Sequence, residues 1–169
     1  MAQSESSCNP DNFHRLYEEH ADALHRFAYY KSGDGEQAED IVQESYLRLW
    51  KNCAEVAMDK AKQFLYAVAN NLMLDQFKHQ KVVMKFQNVQ EKRRNEQDPQ
   101  FLLEEQEFKT KLEAAIAALP EGQREVFLMN RIDKLKYREI AELLGVSQKA
   151  VEKRMHKALL FLRQEIGNI

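Results

Sequence analysis

The stretch Tyr137 to Leu162, YREIAELLGVSQKAVEKRMHKALLFL, decides the fold. Ile140, Ala141 and Leu144 recur at helical spacing and form one stripe of a short helix. Gly145 follows, a residue that enters the left-handed region without steric cost and can end that helix. Ser147 stands where the next helix needs an N-cap acceptor. Val151, Met155, Ala158, Leu159 and Leu162 are the apolar stripe of this second helix. Two helices joined by so short a glycine turn cross steeply, as in a helix-turn-helix. The opposite face carries Gln148, Lys149, Lys153, Arg154, His156 and Lys157, all able to donate to phosphates or base edges, with Glu152 as the acidic exception. An ordinary helical hairpin shares the basic face. The small, turn-forming and branched residues at Ala141, Gly145 and Val151 favour a DNA-reading unit.

The rest of the 169-residue chain bounds what this unit serves. Hydrophobic residues make up 44% and charged residues 31%, a globular composition, and only 5 Gly and 3 Pro suit long helices. The formal net charge is -2, so attraction to DNA has to come from local patches. No run is apolar enough for a membrane span, and the start lacks a basic-then-apolar leader; no membrane insertion and a cytoplasmic location are expected. Cys8 and Cys53 show no CxxC spacing; the sequence leaves a disulfide between them open, and two separate reduced thiols are the expected state. His14, His20, His25, His79 and His156 lack metal-ligand spacing, and no glycine-rich phosphate loop occurs. No metal or cofactor is expected.

Upstream, Met1 to Asn9 reads as a poorly ordered polar tail. A helical pattern starts at Asp11, and Ser32 to Gly35 interrupts it. The helix from Glu36 to Lys51 has Ala38, Ile41, Val42, Tyr46, Leu49 and Trp50 as its inward stripe, with Asp40, Gln43, Glu44 and Arg48 on the other face. Asn52 to Lys60 reads as a loop or broken helix. A long amphipathic helix is then predicted through Phe86, with Phe64, Leu65, Val68, Leu72 and Phe77 inward and Asn70, Asn71, Asp75, Lys78 and Lys81 in a polar band. VQEKRRNEQDPQ, residues 89–100, is the expected linker. Asp98-Pro99 then starts a helix running to Leu119. The fold class is all-α: two small helical domains, 10–88 and 101–169, with the helix-turn-helix in the second.

Two segments carry a resemblance to a known family. DIVQESYLRLW (Asp40 to Trp50) followed by FLYAVANNLMLD (Phe64 to Asp75) resembles region 2 of bacterial RNA polymerase sigma factors. Ala118 to Arg163 resembles their region 4. The short chain resembles the extracytoplasmic function (ECF) group, which lacks the middle domain of larger members. The resemblance implies an alternative sigma factor that binds core RNA polymerase and directs promoter-specific initiation. Its partners would be core polymerase, promoter DNA and an anti-sigma factor.

By the same resemblance, Asp40, Gln43, Glu44 and Arg48 would dock on the clamp coiled coil of the largest polymerase subunit, where acids and an amide can meet arginines. An unstacked base of the minus-ten element would sit near the loop and the following helix start. Asn71 matches the asparagine of the family's Arg-Asn pair; Asn70 stands where arginine is more common and brings no charge. Phe64 and Tyr66 are read as core, while Lys78, Lys81 and Lys85 are spaced to track a nucleic-acid backbone. For the minus-thirty-five element, Gln148, Lys149, Lys153 and His156 would read base edges, each good bidentate contact supplying ~1–3 kcal/mol of discrimination. Arg154 and Lys157 would take phosphates. Glu152 departs from a position often basic, and Lys136 replaces the usual capping Ser or Thr at a cost of ~1 kcal/mol. A paired acid/base role for Asp40 and Glu44 lacks convergent partners, and no catalytic residue is expected. A stand-alone regulator would leave the Asp40 to Trp50 motif without a task.

Overall fold

The computed structural model describes residues 6–76, 84–86 and 99–167, with 75 and 76 described by their backbone alone. Asn9 opens the first helix by accepting from Asp11 N at 2.9 Å, with Pro10 at the first helical position. This helix, α1 (Pro10–Ser32), ends at Gly33, whose φ of 68° lets its N–H return to Tyr29 O at 2.8 Å. Asp34 caps α2 (Gly35–Lys51) through Oδ1, which accepts from Glu36 N at 2.9 Å and Gln37 N at 3.1 Å. After a turn and a 3-10 segment at Met58–Lys60 comes α3 (Ala61–Gln76). Leu24, Phe27, Ile41, Leu49, Leu65 and Met73 fill the space between these three helices. Each such large apolar side chain contributes about 1.5–3 kcal/mol on burial. Tyr46 adds a buried hydrogen bond from its hydroxyl to Leu16 O at 2.9 Å.

Four helices follow: α4 (Pro99–Ala118), α5 (Glu121–Arg131), α6 (Tyr137–Leu144) and α7 (Gln148–Ile166). Ile116, Val126, Leu128, Met129, Ile140 and Met155 meet at their centre. Gly145 has φ 65° and ends α6, and Ser147 Oγ accepts from Ala150 N at 3.1 Å to start α7. The expected helix-turn-helix is present, and among the described residues no strand forms beyond one isolated bridge. No described helix is long and apolar enough to cross a membrane.

Several expectations change. The segment ahead of α1 is ordered from Ser6 onward, and Cys8 and Cys53 are joined as a disulfide with Cα atoms 5.0 Å apart rather than standing separately. The chain folds back there, bringing together residues 45 apart in sequence. Trp50 is 44% exposed and packs on Phe13 with ring centroids 5.0 Å apart, because Leu49 takes the inward position. The buried stripe of α3 is Ala61, Leu65, Tyr66, Ala69 and Met73; of the expected stripe Leu65 is buried, Phe64, Val68 and Leu72 are half-buried, and Phe77 lies outside the described residues. Met84 to Phe86 are not helical: Lys85 N donates to Tyr29 Oη at 2.9 Å, that hydroxyl donates to Lys85 O at 3.1 Å, and Phe86 N donates to Glu113 Oε1 at 3.0 Å. Residues 87–98, holding most of the expected linker and the Asp98 cap, lie outside the described residues.

The two helix groups touch, α5 against α1 and α6 against α3. Arg124, 4% exposed, donates from Nε to Tyr30 O at 2.6 Å and from Nη2 to Lys31 O at 3.1 Å, both at the end of α1. Its Nη1 serves Ala117 O and Leu119 O at the end of α4, each at 3.0 Å. Lys31 Nζ reaches Glu121 Oε1 at 2.7 Å and Glu125 Oε2 at 2.9 Å, and Arg26 pairs with Asp133.

Candidate nucleic-acid and partner interfaces

The polar face of α2 follows from its apolar one. With Ala38, Ile41, Val42 and Leu49 held inward, helical geometry turns residues 40, 43, 44 and 48 toward solvent. Asp40, Gln43 and Arg48 are exposed and Glu44 is half-buried. Glu44 Oε1 accepts from Arg48 Nε at 2.9 Å, one helical turn on. Asp40, Glu44 and Arg48, together with Gln37, Ile41 and Leu72 of α3, line an open cleft of about 410 Å³. Leu47 shares the outward face, four residues after Gln43, and is 52% exposed. An apolar residue on the polar side of the helix was the available signal for it in the sequence.

On α3, Asn71 is exposed and Asn70 half-buried, about three turns beyond the loop that joins α2 to α3. Tyr66 is 2% exposed with its ring 5.0 Å from that of Phe27, and burial pushes its phenol well above the usual range. It belongs to the core, and Phe64 is half-buried beside it in sequence. Lys78 and Lys81 lie outside the described residues, and Lys85 is exposed while its backbone is held by Tyr29.

Along α7, burial of Val151, Met155, Ala158 and Leu162 leaves Gln148, Lys149, Lys153, His156 and Lys157 exposed on the other side. Gln148 Nε2 donates to Glu152 Oε1 at 3.1 Å, so the acidic exception orients its neighbour on the same face. Arg154 does not join this row. It is half-buried, its Nη1 donates to Glu125 Oε1 at 3.3 Å, and its guanidinium lies alongside Gly122. Glu125 is 4% exposed; burial pushes its carboxyl up, while Lys31 and then Arg154 draw it down. Helix spacing cannot reveal a buried acid on a different helix, so this ion pair of Arg154 was not legible in the sequence.

The missing Ser or Thr cap before Tyr137 is partly compensated. Glu139 Oε2 accepts from Lys136 N at 2.7 Å, satisfying the N-cap amide from within the first turn of α6.

Among known proteins, the family described as Sigma-70 region 2 matches residues 16–82, and Sigma-70 region 4 matches residues 109–162. The ECF RNA polymerase sigma factor SigL of Mycobacterium tuberculosis is 31% identical over 158 residues, covering 90% of this chain and 89% of SigL. SigE of Mycolicibacterium smegmatis, also an ECF RNA polymerase sigma factor, is 26% identical over 155 residues; the match covers 90% of this chain but 60% of SigE. The sigma factor RpoE of Bartonella quintana, solved in complex with the anti-sigma factor NepR, shares the fold with a TM-score of 0.61 at 19% identity, covering 90% of this chain and 94% of that one.

Proposed function

The chain belongs to the ECF sigma factors of RNA polymerase, alternative factors that direct transcription initiation, and from that membership we propose how its surfaces divide the work. Residues 10–88 form the domain that docks on core polymerase and engages the minus-ten element, 89–100 the linker, and 101–169 the domain that reads the minus-thirty-five element. Asp40 and Gln43 lead the contact with polymerase, Leu47 adds apolar area, and the Glu44–Arg48 pair opens to share its charges with the partner. The loop 52–60 and the start of α3 hold an unstacked minus-ten base, while Asn71, about three turns further along α3, reads a neighbouring base and Asn70, Lys78 and Lys81 follow the strand. Gln148, Lys149, Lys153 and His156 read base edges in the major groove and Lys157 takes a phosphate. Arg154 acts from behind, fixing α7 on α5. An anti-sigma factor covers the polymerase-binding face when the protein is idle, and the site of action is the cytoplasm.

One observation carries this reading: an exposed acidic α2 face and an exposed donor row on the second helix of a helix-turn-helix occur in one chain. Charge reversal at Asp40 and Glu44 to Lys is expected to weaken core polymerase binding about tenfold or more, measured by titration of labelled protein. Lys153→Ala is expected to change which fragments of a promoter library initiate while polymerase binding stays intact. Tight duplex binding together with indifference to core polymerase would defeat the proposal.

A further inference from the structure

The loop between α2 and α3 has little core of its own: residues 52–60 include no buried side chain. Internally, Asn52 O accepts from Glu55 N at 2.9 Å and Val56 N at 3.2 Å. Val56 and Met58 pack half-buried against the core, and Asn52 Nδ2 donates back to Arg48 O at 2.8 Å at the end of α2. Further restraint comes from the segment ahead of α1. Ser7 is fully buried, and its hydroxyl is shared between Cys53 O at 3.1 Å and Val56 O at 3.2 Å. Ser6 forms an antiparallel bridge with Ala57, and Asn12 Nδ2 donates to Ser6 O at 3.0 Å, anchoring the segment on α1. The Cys8–Cys53 disulfide is the covalent member of this strap. Both cysteines are only half-buried, so the pair lies near the surface, where a small oxidant or a dithiol reductant arrives.

We infer that Cys8 and Cys53 form a thiol–disulfide redox site, oxidised by hydroperoxides, whose state sets the order of the loop that holds the unstacked minus-ten base. The inference rests on the assignment of that loop under the proposed function. Transcription takes place where thiols are kept reduced, and a disulfide made there is characteristically transient or sensing. In the oxidation, one thiolate attacks an oxygen of hydrogen peroxide, breaking the O–O bond and giving a sulfenic acid. The second sulfur displaces that hydroxyl, forming the S–S bond and releasing water. Two thiols lose two electrons and two protons, and one peroxide becomes two waters. A dithiol reverses the step by exchange and is itself oxidised to a disulfide.

With the bond open, the strap keeps its hydrogen bonds, among them the shared Ser7 hydroxyl, the bridge to Ala57 and the Asn12 anchor, but loses its covalent tie. A base entering the loop must then order it, and that ordering weakens binding. With the bond closed, the order is already present. The strap grips the loop through the carbonyls of residues 53 and 56, leaving Asn52, Ala54, Glu55 and Asp59 exposed to a ligand.

The test uses the full-length protein assembled with core polymerase after treatment with hydrogen peroxide or dithiothreitol, its thiols counted by alkylation and intact mass. Peroxide is expected to consume both thiols within one chain and to slow amide exchange across residues 53–57. Binding of a randomised pool of short single-stranded DNA is expected to tighten about threefold to tenfold. Cys8→Ser is expected to keep the reduced-form values under either treatment. Equal exchange in the two states, equal DNA affinity, or linkage between chains would each overturn the inference. Polymerase binding by the Asp40 and Glu44 reversals is measured in the Cys8→Ser background, so failure of the adaptor role appears there and is not confused with failure of the thiol site.

Discussion

Lys134 holds φ at 58° in the turn between α5 and α6, a left-handed conformation that a side chain with a Cβ adopts at a cost of about 1–2 kcal/mol. The turn persists because its neighbours determine it: Leu135 N donates to Met129 O at 3.2 Å, Asn130 Nδ2 donates to Leu135 O at 2.9 Å, and Asp133 is held by Arg26. The Lys134 side chain itself is exposed. Lys134→Gly should therefore raise stability by roughly 0.5–1 kcal/mol after allowing for glycine's greater unfolded-state entropy, seen as a higher urea midpoint. Nothing in the residue type at 134 announces this conformation, whereas Gly145 announced its own because only glycine enters that region freely. Lys136 shows the other limit. Its lack of a capping side chain was legible, but the answering carboxylate of Glu139 became visible only once its distance to Lys136 N was known.

The helix-turn-helix was the most legible element, since Gly145, Ser147 and the stripe from Val151 to Leu162 each act through local geometry. Ser147→Ala should cost about 1 kcal/mol by leaving the first turn of α7 uncapped, and should loosen promoter binding because Gln148 and Lys149 lie in that turn. Thermal unfolding and fragment binding on the same variant would check both effects; unchanged stability would show that water replaces the hydroxyl. In α3 the pattern misled in part. Large residues at 64, 68 and 72 outweighed alanines at 61 and 69 in a hydropathy reading, yet small residues let α3 approach α1 and α2 closely, and the alanines stand inward beside Leu65. The end of the predicted long helix failed for a different reason. The Tyr29 hydroxyl and the Glu113 carboxylate take the backbone groups of residues 85 and 86, partners that only tertiary structure supplies.

At the scale of the whole molecule, a polar interface joins the two helix groups. Arg154 on α7 holds Glu125 on α5, Glu125 holds Lys31 on α1, and Arg124 donates to the last carbonyls of α1. Under the proposed division of work the two helix groups engage separate promoter elements, and reaching both requires this interface to part. Polar contacts suit a junction that opens, because each group regains water on separation, whereas a large apolar interface would not. Arg124→Met should cost at least about 3 kcal/mol of contact by stripping donors from buried carbonyls. Helix content should survive while the distance between labels on α2 and α7 increases, read by energy transfer; an unchanged distance would mean that the remaining charge pairs suffice. The sequence carried Arg124 and Lys31 in plain view but gave no sign that they meet, since they stand 93 residues apart and their groups bond across domains.

Arg124 also has a consequence for comparisons among relatives. All its acceptors are main-chain carbonyls, at residues 30, 31, 117 and 119. A carbonyl is the same chemical group whatever side chain stands beside it, so those four positions can drift without altering what Arg124 binds. Coevolution between position 124 and those four positions therefore has little to act on. A contact map inferred from covarying positions would recover the Lys31–Glu125 charge pair and pass over the more heavily bonded residue next to it.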